Sequence, residues 1–104
     1  RILRFDPTTQ IASLVGADLG NNYDKWMGGA VDSDGIIYCV PFDADQILRF
    51  DPATEQMSLI GSTYAGYSKW SGSYNIVSKW NGGVMGDDNN MYCVPFQDTQ
   101  VLRL

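Results

Sequence analysis

The strongest constraint on this chain is that it repeats itself. Ile2-Leu3-Arg4-Phe5-Asp6-Pro7 returns as Ile47-Leu48-Arg49-Phe50-Asp51-Pro52, and the match extends over residues 2–16 and 47–61. Residues 25–49 return at 79–103, with Lys-Trp-x-Gly-Gly and Tyr-Cys-Val-Pro-Phe in both copies. A unit recurring at roughly 45 residues is one supersecondary module that buries its apolar surface against its neighbours. Repeat one spans 2–46, repeat two spans 47–100 with an insertion within 62–78, and a partial third occupies 101–104, all within a single segment, 1–104.

Each unit divides into short apolar runs separated by turn chemistry. Ile2 to Phe5 is closed by Asp6-Pro7-Thr8-Thr9, where Pro presets φ for a turn and the carboxylate can accept from the amides beyond it. Ala12 to Val15 ends at Gly16, and Lys25 to Val31 follows a polar loop. Asp32-Ser33-Asp34-Gly35 then predicts a hairpin, because Gly supplies positive φ; the second unit has Asp88-Asn89 there, and Asn is the next best residue for that conformation. Ile36 to Val40 forms the fourth run, expected to stop at Pro41, which cannot donate into a ladder. Runs this short with turns this frequent predict an all-β protein. The runs are apolar on both faces, with Ile37 and Cys39 pointing one way and Ile36, Tyr38 and Val40 the other. Four-stranded antiparallel sheets sandwiched between like sheets are β-propeller blades.

The run Asp34-Gly35-Ile36-Ile37-Tyr38 followed by Gln46-Ile47-Leu48-Arg49-Phe50-Asp51-Pro52-Ala53-Thr54 resembles the blades of NHL, streptogramin-lyase and gluconolactonase-like propellers. The Lys-Trp-x-Gly-Gly lead is similar to repeats of uncharacterised eukaryotic propeller proteins. The resemblance implies that the strand at Trp26 is innermost, the strand at Ala12 outermost, and that the chain enters at a third strand. It accounts for about two and a quarter blades, whereas a closed ring takes roughly 4 to 8. The expectation is a part of a six- or seven-bladed ring, completed by further blades of a longer chain or by other copies. A lyase of this kind needs a His-centred site, and the chain contains no His.

Chemistry is thinly represented. The absence of His removes His-based triads, His metal ligands and the commonest neutral-pH general base. Cys39 and Cys93 occupy equivalent mid-strand positions, separated by a full repeat and so beyond the ~7 Å that a disulfide spans between Cα atoms; both are expected to be buried free thiols, which favours an intracellular compartment. Asp32, Asp34, Asp87 and Asp88 lack the alternating carboxylates and closing Glu of a calcium loop, so no metal or other cofactor is expected. Arg4, Arg49 and Arg103 recur once per unit, which suggests structural pairing with an Asp of the same or the next unit. The net charge of −5 argues against nucleic acid, and no apolar run is long enough to insert in a membrane.

The insertion carries Tyr64, Tyr67, Trp70 and Tyr74 among Ser, Gly and Asn, a mixture suited to adaptable recognition surfaces. Propeller connectivity would bring it out on the same end as Asp43, Asp45 and Asp98, in the segments after Phe42 and Phe96. The expectation is a non-catalytic binding or scaffold module for a protein or carbohydrate partner, with Trp26, Trp80, Cys39, Cys93 and the three arginines as framework. A propeller enzyme of lyase or lactonase type with its site in other blades, and a structural subunit of a larger assembly, are the alternatives.

Overall fold

The computed structural model describes residues 1–20, 25–63, 80–96 and 100–104. Among these residues the fold is all-β, with strands β1 (Ile2–Asp6), β2 (Ile11–Val15), β3 (Trp26–Val31), β4 (Ile37–Pro41), β5 (Ile47–Asp51), β6 (Gln56–Ile60), β7 (Trp80–Met85), β8 (Met91–Pro95) and β9 (Leu102–Arg103). They form three antiparallel sheets, β1-β2, β3-β4-β5-β6 and β7-β8-β9.

The turns follow from local chemistry. Asp6 Oδ1 accepts from the Thr8 amide at 2.9 Å, and Asp51 Oδ1 accepts from the Ala53 amide at 3.0 Å, so both Asp-Pro corners are held in the same way. Gly35 at φ 84° and Asn89 at φ 63° close the two β-hairpins in the left-handed region. In each hairpin the closing amide bonds back to the carbonyl three residues earlier: Gly35 to Asp32 at 3.1 Å, and Asn89 to Gly86 at 3.0 Å. One expectation is corrected here. Pro41 and Pro95 lie inside β4 and β8 as their last residues, opposite Trp26 and Trp80. The register is interrupted between Trp26 and Gly29 and between Trp80 and Gly83, so proline occurs where the ladder is already irregular.

The second and third sheets pack face to face, with β3 against β7 and β4 against β7. A Cβ on Gly28 would lie 2.8 Å from Gly82 Cα, and the missing side chain is what lets the two backbones approach. Between the sheets lies the core: Val40, Ile47, Trp80, Met91, Cys93 and Leu102, all nearly inaccessible to solvent. Full burial of each large apolar side chain is worth about 1.5–3 kcal/mol. The first sheet touches the second at its far edge, where Gly16 sits against the Met57 sulfur and the Ala17 amide points at Met57 Sδ, 3.1 Å away.

Candidate functional site

Two ends of the sheets carry polar chemistry, and they differ in kind. At the end reached after β4, the Lys25 carbonyl accepts from the amides of Phe42 at 3.1 Å and Ala44 at 2.9 Å. The Trp26 indole N–H donates to the Gln46 carbonyl at 2.9 Å, and Gln46 Nε2 donates to the Gly61 carbonyl at 3.1 Å. The 42–46 corner is therefore hydrogen-bonded from both sides. The second repeat copies the main fastening, with the Trp80 indole donating to the Gln100 carbonyl at 2.9 Å. The two corners meet through Phe42 and Phe96, whose rings are tilted at 42° with centroids 5.8 Å apart. Phe42 is buried, whereas Phe96 is 60% exposed. Asp43 is half-buried and Asp45 exposed on the same corner.

This places two of the sequence-derived binding residues, Asp43 and Asp45, on the corner whose Phe42 ring packs against the exposed Phe96. Tyr64, Tyr67, Trp70, Tyr74 and Asp98 lie outside the described residues. The Phe42–Phe96 contact was not foreseen as a pair. Its signal was present in the sequence, since both phenylalanines follow the same Tyr-Cys-Val-Pro run.

At the opposite end each hairpin carries an Asp–Tyr–Arg array. Asp32 Oδ1 accepts from the amides of Asp34 at 2.9 Å and Ile36 at 3.0 Å, while Oδ2 accepts from the Tyr38 hydroxyl at 3.0 Å. Arg49 is the cross-strand partner of Tyr38. Partial desolvation pushes the Asp32 carboxyl up, but the bonds from Ile36, Tyr38 and Asp34 outweigh it and hold the group below its ordinary range. In the second repeat the position equivalent to Asp32 is Gly86, and the acid has moved two residues along the turn. Asp88 Oδ2 accepts from the Tyr92 hydroxyl at 2.5 Å, Oδ1 accepts from the Asn90 amide at 3.1 Å, and Arg103 stands opposite Tyr92. The Tyr92 hydroxyl and Asn90 lower Asp88 from 3.8 to about 2. Both phenols are shifted up, Tyr38 by desolvation and then Asp32, Tyr92 by Asp88 and then desolvation. They are hydrogen-bond donors to a carboxylate, which is a fastening and not a nucleophile.

The remaining framework residues behave unequally. Cys39 and Cys93 are both free thiols, as expected. Burial raises both, Cys93 to about 11, which suppresses thiolate reactivity. Cys93 is fully buried; Cys39, expected to be buried, is only half-buried, because Val40 closes over Cys93 and no described residue does the same for Cys39. Arg4 finds a carboxylate on the neighbouring sheet, but it is Glu55 at 3.7 Å rather than an Asp, and the pair is exposed.

A cleft of about 100 Å³ between the hairpins is lined by Asp32, Tyr38, Met85, Asn89, Met91 and Leu104. Ligand pockets occupy roughly 300–1,000 Å³, so this one suits solvent rather than an organic substrate. Among the described residues no group of three or more His, Cys, Asp or Glu side chains could hold a metal ion, and no helix is long and apolar enough to cross a membrane. Comparison with known proteins yields no matching family model, no matching curated protein and no matching solved structure, so function is argued from the geometry of the repeats.

Proposed function

We propose that the chain is a segment of a β-propeller and serves as a non-catalytic binding or scaffold module, presenting the Phe42–Phe96 end to a protein or carbohydrate partner. The observation that carries this reading is the hydrogen-bonded 42–46 corner, whose Phe42 ring packs against the exposed Phe96. Two amides on one carbonyl and an indole on another fasten the corner that carries Asp43 and Asp45, and the Phe42 ring of that corner packs on Phe96 before any partner arrives. A preorganised aromatic and acidic surface loses little entropy on binding. Sugars stack on exposed rings while carboxylates accept from their hydroxyls, and a neutral or basic protein surface fits the same chemistry. The packing of the four-stranded sheet β3-β4-β5-β6 against the three-stranded sheet β7-β8-β9, with β3 and β7 in contact, supports the propeller reading.

The test is an NMR titration of the labelled chain with a panel of soluble oligosaccharides and basic peptides. Resonances of Phe42, Phe96 and Asp45 should shift first, and Phe96→Ala should abolish the shifts without changing the melting temperature. Shifts confined to the Asp32 and Asp88 hairpins would overturn the assignment of the binding end.

A further inference from the structure

The two repeats differ at a position that fastens one sheet to another. Gly16 and Gly61 are equivalent: they directly follow β2 and β6, and both have φ 79°. A Cβ on Gly61 would meet nothing within 4 Å, whereas one on Gly16 would overlap the Sδ of Met57. The sulfur fills the notch that this glycine leaves, and it accepts from the Ala17 amide at 3.1 Å. Met57 lies on β6 opposite the buried Phe50, so its backbone belongs to the second sheet while its side chain reaches the first. The equivalent residue of the first repeat is Ala12, which is too short for that reach.

Arg4 and Glu55 join the same two sheets, but their side chains are 61% and 49% exposed, where an ion pair contributes little. The better packed fastening is therefore the thioether. Of the four methionines, Met91 is sealed in the core, whereas Met27, Met57 and Met85 are half-buried and open in part to small solutes.

We propose that Met57 is an oxidation site, and that its conversion to the sulfoxide by hydrogen peroxide releases the first sheet from the second. A sulfur lone pair attacks one peroxide oxygen, and the S–O bond forms as the O–O bond breaks. The departing hydroxide takes the proton from the transferred oxygen and leaves as water, so sulfur is oxidised and peroxide is reduced. A polar, chiral sulfoxide then stands where an apolar thioether stood. Its oxygen needs room at a sulfur already in contact with the Gly16 backbone, and it uses a lone pair on the atom that accepted from Ala17. Water solvates the new oxygen, and the side chain leaves the notch. Reduction by a methionine sulfoxide reductase restores the thioether and the contact.

The Ala17 amide reports the state of the joint. Hydrogen exchange of the 104-residue chain, read by NMR beside peptide mapping of each methionine, should find Ala17 protected in the reduced protein. Its exchange should accelerate roughly fivefold to tenfold in proportion to Met57 sulfoxide, the change expected from losing one hydrogen bond. Treatment with a methionine sulfoxide reductase should restore the protection. Met57→Leu keeps the apolar volume and removes the acceptor, so Ala17 should exchange fast before peroxide and no faster after it. Met27→Leu and Met85→Leu should leave the wild-type response intact, and they keep the test decisive if Met57→Leu fails to fold. Ala17 exchange that is unchanged when Met57 is fully oxidised, as when the sulfoxide oxygen takes over the amide, overturns the proposal. So does a Met57 that remains a thioether after Met27 and Met85 have been oxidised.

Discussion

β1 and β5 are the same five residues in the same hairpin register, yet one lies in solvent and the other in the interior. The difference between them is entirely a matter of neighbours. β5 has β4 on one edge, β6 on the other and a place in the packed core through Ile47. β1 has β2 alone. Strand propensity and alternation are satisfied equally in both, so the pair separates what a sequence asks for from what packing grants it.

That comparison can be broken by truncation. Leu48→Ala should cost about 2–5 kcal/mol in urea unfolding, because the site is buried and a cavity remains. Leu3→Ala, at the equivalent exposed site, should stay within about 0.5 kcal/mol when measured on dilute chain. Equal costs at the two positions would mean that β1 is covered in solution even when dilute.

The inner strands offer a second contrast between the repeats. Gly28 and Gly82 both have φ near the left-handed region, at 78° and 77°. A Cβ at Gly28 meets the Gly82 backbone, whereas a Cβ at Gly82 meets nothing within 4 Å. Gly82→Ala should therefore cost only the backbone strain, about 1–2 kcal/mol. Gly28→Ala should cost that and a further shift of the sheet contact. Thermal melts of the two variants decide it, and identical losses would show that β3 and β7 are not in close approach.

The acid hairpins sharpen the comparison through pH. Both carboxylates are depressed on folding, so their contribution to stability is present above the unfolded carboxylate range near ~4 and is lost as pH falls through the folded values. For Asp88 that loss is completed on passing about 2. Carboxyl-detected NMR should find Asp88 titrating there, and Tyr92→Phe should move it up toward its ordinary value while leaving Asp32 in place. Tyr38→Phe should do the reverse. A Tyr92→Phe variant with unchanged Asp88 titration would remove the hydroxyl as the main cause.

The smallest effect concerns the corner turns. Gln10 and Glu55 occupy equivalent positions at φ 58° and 59°, where glycine is more comfortable. Gln10→Gly reports the backbone change alone, and Glu55→Gly reports the same change less the Arg4 pair. The two should differ by no more than about 0.5 kcal/mol, since exposed ion pairs at this separation contribute little. A larger gap in denaturant midpoints would mean that the Arg4–Glu55 contact ties the first two sheets together.

Much of the strand pattern was legible because its causes are local. The expected runs Ile2 to Phe5, Ala12 to Val15, Lys25 to Val31 and Ile36 to Val40 fall within one residue of β1 to β4 at each end. The Asp-Gly and Asp-Asn signals identified both hairpins through the φ they permit. Pro41 was misplaced because the rule excluding proline from ladders takes no account of an irregularity in the partner strand near Trp26. The Asp–Tyr–Arg arrays were not anticipated, since they depend on cross-strand register. The acid also changes position between repeats, from Asp32 to Asp88, which hides it from alignment of the two units.

By itself the sequence determined the period of the repeat, the strands and the turns, because φ preference and alternation act over a few residues. It also required the two cysteines to be equivalent. Only the tertiary structure decided that Cys93 is sealed while Cys39 is half open, that Val40 is core while Val94 is surface, and that one copy of Ile-Leu-Arg-Phe-Asp is buried while the other is bare. Burial belongs to the contact between modules, and identical modules acquire different environments whenever one has a neighbour that the other lacks.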